Sequence, residues 1–249
     1  MARVYIGTSG WVYGAWKGRF YPHGLPDAQR LSFYATKFAA TEINYSYYHL
    51  PFLQTYRKWA MLVPPGFVFA IKANRAITHL ARLKNVDKAW KDFVQGAKEL
   101  RQHLGPILVQ LPPSFRKNHD RLKAFLETTS GTDTSLRLAF EFRHESWFAE
   151  ETYKLLTRYG AALCIADSIS RPRLNRVTAD FAYVRYHGRT PREAPCYTDE
   201  ELRQEAKFIG RLVGQGIDAY VYFNNDALAH ATSNAARLEE LLNEMRRAA

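Results

Sequence analysis

The chain has 249 residues, of which 47% are hydrophobic, and 35 Lys and Arg stand against 24 Asp and Glu for a formal net charge of +11. That much apolar material supports a large core, either one domain of barrel size or two smaller ones. It excludes a membrane span, because no run approaches the roughly 18–20 apolar residues that one needs.

The chain begins MARVYIGTSGW, a strand pattern with no apolar leader or small-residue cleavage site. Cys164 and Cys196 are its only cysteines, too few for a disulfide framework, and Cys164 sits in the apolar run AALCIAD. These features point to a soluble, cytoplasmic protein with no membrane partner. The basic balance favours an anionic small molecule or nucleic acid as partner. Much of it lies on helical faces (Arg101, Lys117, Arg121, Arg237, Arg246, Arg247), where a solvated surface explains it equally well.

In chain order, the first expected strand covers residues 4–7, the second 39–44 and the third 67–73. A helix is expected over 88–104, where Trp90, Phe93, Val94, Ala97, Leu100 and Leu104 recur at spacings of three and four. Then come a strand at 107–111, a helix at 121–126, a strand at 136–142 and a helix at 151–159 followed by Gly160. Strands at 161–166 and 181–186 follow. Thr198 and Glu201 form a capping box that opens a helix over 200–213, with Gly214 and Gly216 at its end. A strand at 219–223 and a helix at 235–245 complete the chain, with Asn234 expected on that helix's first turn.

The strands are short and continuously apolar, as strands covered on both faces are. Eight of them alternating with helices imply an α/β fold with a parallel sheet, and the count selects a single (β/α)8 TIM barrel as one domain. A doubly wound open sheet is the alternative, but GTSGWVYG after the first strand lacks the G-x-G-x-x-G spacing.

Chemistry in such barrels lives at the C-terminal ends of the strands. There the sequence places Ser9, Trp11 and Tyr13; Glu42, Asn44, Tyr47 and Tyr48; Lys72, Asn74, Arg75 and His79. It continues with Gln110; Glu141, Arg143 and Trp147; Asp167; Arg185, His187, Gly188 and Arg189; and Asn224, Asn225 and Asp226. Strand alternation puts Glu42 with Asn44, Glu141 with Arg143, and Arg185 with His187 on one face each. An inward face would gather them into one site of perturbed pKa values. Any single Glu–Arg pair is as readily a structural one, and Trp11, Trp16 and Trp147 serve equally as core lids.

These residues fall in recognisable motifs. IGTSGWVYGAWKGRFYP (6–22), FAATEINYSYYHLP (38–51), FVFAIKANRAITH (67–79), GPILVQLPPSF (105–115), AFEFRHESWF (139–148), YVRYHG (183–188) and YVYFNNDALAHATSNA (220–235) occur in one order along nearly the whole chain. In them the sequence resembles the YecE-like family, domain of unknown function 72. The resemblance implies the TIM barrel and no particular reaction.

Four chemistries fit the strand ends. In the first, an enzyme of hydrolase or lyase class acts on a phosphate-bearing or nucleic-acid substrate. Lys72, Arg143 and Arg185 would hold anionic oxygens. Glu42, Lys72, Glu141, Asp167 and His187 are its candidate catalytic groups. Ser9, Trp11, Tyr13, Asn44, Tyr47, Arg75, Gln110, Trp147, Gly188, Asn224, Asn225 and Asp226 are the candidate substrate contacts, alongside the two arginines. No cofactor is required. The second adds a divalent metal on Glu42, Glu141, Asp167, His187 and Asp226, against the cations that share the strand ends. The third is a sugar-active enzyme, for which Gln110 and His187 stand where the large retaining barrels carry their carboxylates. The fourth is a non-catalytic nucleic-acid or anion-binding module. His49 and His79 read as hydrogen-bonded loop histidines, Cys196 as a loop thiol, and QLPPS as a rigid turn. Oligomeric state is not legible.

Overall fold

The structure is a computed structural model that describes residues 2–169, 173–188 and 195–248. Its eight strands are β1 (Val4–Ser9), β2 (Ala40–Ile43), β3 (Val68–Lys72), β4 (Leu104–Gln110), β5 (Leu138–Glu141), β6 (Ala162–Asp167), β7 (Phe181–Tyr186) and β8 (Asp218–Phe223). They close into a barrel in chain order, with parallel pairing throughout the registered neighbours. This is the (β/α)8 fold, and every expected strand is present.

The helices are α1 (Arg30–Tyr34), α2 (Tyr45–Tyr48), α3 (Leu53–Met61), α4 (Asp87–Ala97), α5 (His119–Thr132), α6 (Glu150–Arg158), α7 (Asp199–Gly214) and α8 (His230–Ala248). None of the described helices is long and apolar enough to cross a membrane. Packing divides the chain into two compact units. The first holds Met1–Glu42, Ile165–Asn175 and Asp180–Ala249, and the second holds Ile43–Cys164 and Arg176–Ala179.

In the first unit, Gly7 sets how closely β1 meets β2. A Cβ there would fall 1.8 Å from the Ala40 carbonyl oxygen, so no larger residue fits. The Tyr34 hydroxyl crosses the same gap, accepting from the Thr8 backbone N–H (2.8 Å) and donating to the Ala40 carbonyl (3.0 Å). Tyr34, Phe38, Phe20 and Tyr21 pack edge and face against one another beside it. The α7 capping box forms as expected: Thr198 accepts from the Glu201 N–H (3.3 Å), and Glu201 accepts from the Thr198 N–H (2.8 Å).

In the second unit, α4 buries the expected stripe of Trp90, Phe93, Val94 and Ala97. Each large side chain of that stripe contributes about 1.5–3 kcal/mol by leaving water. The helix does not continue to Leu104, as its apolar spacing suggests. A 3-10 turn follows at Lys98–His103, Arg101 adopts φ 54°, and Leu104 opens β4. Gly105-Pro106 then keeps the chain extended into β4, since the residue before a proline is pushed out of the helical region. The last helix also departs from expectation. It starts at His230, so Asn234 lies in its second turn, buried and hydrogen-bonded rather than capping. Gly160 and Gly216 take positive φ after their helices, while Gly214 is the last helical residue of α7.

Candidate functional site

The candidate groups lie where the sequence reading puts them, at C-terminal strand ends. Ser9, Lys72, Gln110, Glu141 and Asp167 are the last residues of β1, β3, β4, β5 and β6. Glu42 and Arg185 are one residue from the ends of β2 and β7, and Asn224 follows β8 directly.

In the first unit the centre is a buried ion pair. Arg185 Nη2 donates to Glu42 Oε1 at 2.9 Å, with side-chain exposures of 2% and 0%. Tyr183, two residues earlier on the same face of β7, donates its hydroxyl to Glu42 Oε2 at 2.7 Å. Burial pushes the Tyr183 hydroxyl well above its ordinary pKa, and the Glu42 charge adds to the effect. Two residues further along, Arg185 Nη1 lies 3.3 Å from His187 Nε2. A guanidinium only donates, so Nε2 offers its lone pair and the ring proton sits on Nδ1. Nδ1 faces the Asn224 side-chain amide at 3.0 Å, which meets that proton when its oxygen is the near atom.

Asp167 belongs to a second network in this unit. Its Oδ2 accepts from the Tyr197 hydroxyl at 2.7 Å, and that hydroxyl accepts from the Gly188 N–H at 3.0 Å. Gly188 has φ +95°, and a Cβ there would lie 2.4 Å from the Pro195 ring, so glycine is required. Asn234 holds the neighbouring backbone by accepting from the Tyr197 N–H (3.2 Å) and donating to its carbonyl (3.2 Å). Asn225 donates to Asn234 Oδ1 at 2.9 Å. Arg173 clasps Glu205 of α7 with both terminal nitrogens, and Glu205 also accepts from the Tyr186 hydroxyl at 2.7 Å. Tyr13 donates to the Ser9 carbonyl, and burial followed by the Asp226 charge raises its pKa. Burial likewise raises the Asp226 carboxyl.

In the second unit, Gln110 stands opposite Glu141 in register and donates to its Oε1 at 2.9 Å. Arg143 Nε donates to the same oxygen at 3.1 Å. Glu141 is buried, but the Arg143 side chain is 31% exposed, which leaves its terminal nitrogens able to meet a ligand. Lys72 Nζ lies 4.2 Å above the Tyr47 ring, and the edge of that ring meets His79 at 5.0 Å. His79 titrates low, at about 4. Burial is the main cause, Lys72 and Arg143 add to it, and Glu141 opposes them.

Residues 5–249 match the family described as protein of unknown function DUF72. The chain belongs to the DUF72 family. The UPF0759 protein YunF of Bacillus subtilis (strain 168) is 25% identical to it over 270 residues, covering 96% of this chain and 94% of that protein. The crystal structure of a DUF72 family protein from Thermotoga maritima MSB8 superposes with a TM-score of 0.86 at 31% identity, over 97% of this chain and 99% of that one. A DUF72 family protein from Enterococcus faecalis V583 gives a TM-score of 0.80 at 20% identity, over 96% and 95% of the two chains.

Other candidates of this DUF72 protein have different surroundings. Trp147 is fully buried, stacked on Phe142 (4.7 Å) and donating its Nε1 proton to the Phe115 carbonyl (2.7 Å). It offers no face to a substrate and belongs to the core. Trp16 is equally buried and Trp11 nearly so. Asn74 bonds Ser46 and the Ala76 N–H, a local brace. Arg75 and Tyr48 are exposed, Asn44 and Tyr47 half-buried. Arg189 lies outside the described residues. Among the described residues, no three His, Cys, Asp or Glu side chains group so as to hold a metal ion.

Sequence reasoning missed His79 as a neighbour of Lys72 and Arg143, and missed Tyr183, Tyr197, Arg173 and Glu205 altogether. Tyr183 was accessible to it, because it shares the alternation of Arg185 and His187. Arg173 and Glu205 lie 32 positions apart with no periodic link, so only the fold pairs them.

Proposed function

We propose that this protein is an enzyme acting on a phosphate-bearing substrate, oligonucleotides included, by acid–base chemistry at its strand ends. The placement of Lys72 over Tyr47 and of the part-exposed Arg143, held through Nε by Glu141, carries the reading. Lys72 and Arg143 also lower the His79 pKa, secondary to its burial, as cations near that ring do. Arg143, anchored through Nε, would offer its terminal nitrogens to phosphoryl oxygens, and Lys72 would add a point charge. Tyr47 positions Lys72. Glu141 is the candidate acid or base there, and Glu42, Asp167 and the half-buried His187 are those of the first unit. The reading requires no cofactor.

A second reading, a non-catalytic anion or nucleic-acid binder, has its own support. Glu42 and Glu141 each accept from an arginine, as carboxylates that only brace cations would.

The test is fluorescence anisotropy with short single-stranded and duplex oligonucleotides at two salt concentrations. Phosphorylated metabolites are titrated in parallel, and turnover is assayed with and without divalent metal. Binding is expected to weaken with salt and to fall at least about tenfold in Lys72→Ala and Arg143→Ala. Glu141→Gln, which keeps an acceptor for Arg143, abolishes turnover with affinity intact if the protein is an enzyme. Binding that neither cation variant changes refutes both readings.

A further inference from the structure

The outer surface of the first unit carries a cavity of about 730 Å³ between α7 and α8, reaching Val4 at the start of β1. Its volume falls within the roughly 300–1,000 Å³ of small-molecule sites. Val4, Val213, Leu242 and Met245 form its apolar floor. Gly210 widens it, for a side chain there would begin 3.3 Å from the Met245 methyl group and fill the groove.

Three cations, Lys207, Arg211 and Arg246, complete the lining with Gln204, and no acidic residue joins them. The same two helices show what ordinary surface cations do. Arg203 pairs with Asp199, and Arg237 with Asp199, Glu240 and Glu244. Among the described residues, Lys207, Arg211 and Arg246 form no such ion pair. Arg246 acts electrostatically on Glu239, whose carboxyl burial raises and Arg246 only partly lowers. Cations in the last turn of a helix complement its dipole, which covers Arg211 and Arg246. Lys207 lies two turns before the end of α7, beyond the reach of that effect, and the dipole gives no reason for an apolar floor.

We propose that this groove binds an amphiphilic anion, an unbranched acyl or alkyl chain with one anionic head group. The chain would lie on Val4, Val213, Leu242 and Met245, and the head would meet Lys207, Arg211 and Arg246. The proposal stands independently of the strand-end chemistry.

Isothermal titration calorimetry with dodecanoate, dodecyl phosphate and dodecyltrimethylammonium, each below its micellar concentration, tests it. Both anions bind and the cation does not. Preference between the anions identifies a carboxylate or a phosphate as the natural head group. Octanoate binds more weakly than dodecanoate, by at most about fourfold per methylene. Arg211→Glu/Arg246→Glu weakens dodecanoate at least about tenfold, and Gly210→Phe, which fills the groove, abolishes binding while the thermal unfolding temperature holds. Absence of binding by both anions, equal binding of the cation, or binding unchanged in both variants overturns the proposal.

Discussion

Replacing Arg185 with Met tests whether the Glu42–Arg185 pair organises the first unit. The pair is 2.9 Å long and almost wholly buried, with side-chain exposures of 2% and 0%. Removing the guanidinium leaves a carboxylate in a low-dielectric site without its counter-charge, which costs about 3–5 kcal/mol. That is about a fifth or more of the total of a typical domain, about 5–15 kcal/mol. In a chain of this size it corresponds to a fall of roughly 6–20 °C in Tm. The double variant Glu42→Gln/Arg185→Met removes both charges and keeps an acceptor for the Tyr183 hydroxyl, which donates to Glu42 at 2.7 Å. It is expected to recover about 1–3 kcal/mol relative to the sum of the single variants. Urea unfolding followed by tryptophan fluorescence measures all four corners of the cycle, with a constant slope confirming one transition. A cost below about 1 kcal/mol for Arg185→Met, or strictly additive variants, would refute the reasoning and return Arg185 to the ligand-binding groups.

The His79 imidazole titrates near 4 when folded and near 6.5 when unfolded, so the unfolded chain takes up the proton first as pH falls. Its contribution is full above the unfolded value and is lost between about pH 7 and 4. For a half-buried ring the loss, discounted for solvent screening, is about 1–2 kcal/mol. His79→Gln should flatten that part of the stability profile, and an unchanged profile would dispose of the assignment. Tyr197→Phe deletes the hydroxyl that bridges Asp167 Oδ2 and the Gly188 N–H, at an expected cost of about 1.5–3 kcal/mol by thermal unfolding. Trp147→Ala should cost about 3–5 kcal/mol with ligand affinity per folded molecule unchanged, whereas lost affinity in the folded variant would restore Trp147 as a contact.

The strands were legible because a strand covered on both faces is largely apolar, and most of the eight runs met that condition. Alternation was legible too. Glu141 with Arg143 and Arg185 with His187 were expected on shared faces, and they meet at 3.1 and 3.3 Å. Partnership across the sheet was not. Glu42 and Arg185 are 143 positions apart, and nothing local marks them as partners until the strands close. Local patterns also misled where two structures share one spacing. Leu104 continues the helical period of Leu100 yet opens a strand, and Trp147 looks like a stacking platform until Phe142 and Phe115 enclose it.

The same distinction decides what can be inferred about chemistry. Strand-end charges in a packed barrel are largely withdrawn from water, so most must be neutralised by neighbours, and a sequence displays the charges without the pairing. In the first unit, Glu42 meets Arg185, and Glu205 meets Arg173, which also lies 3.9 Å from Asp167. In the second, Glu141 meets Arg143, and burial, with Lys72 and Arg143 adding to it, lowers the proton affinity of His79. A buried pair mainly stabilises a fold, whereas an arginine whose side chain is 31% exposed beside its carboxylate, as Arg143 is, can also reach a ligand. That exposure makes Arg143, with Lys72 beside Tyr47, a better first target for mutation than Arg185, whose side chain is 2% exposed.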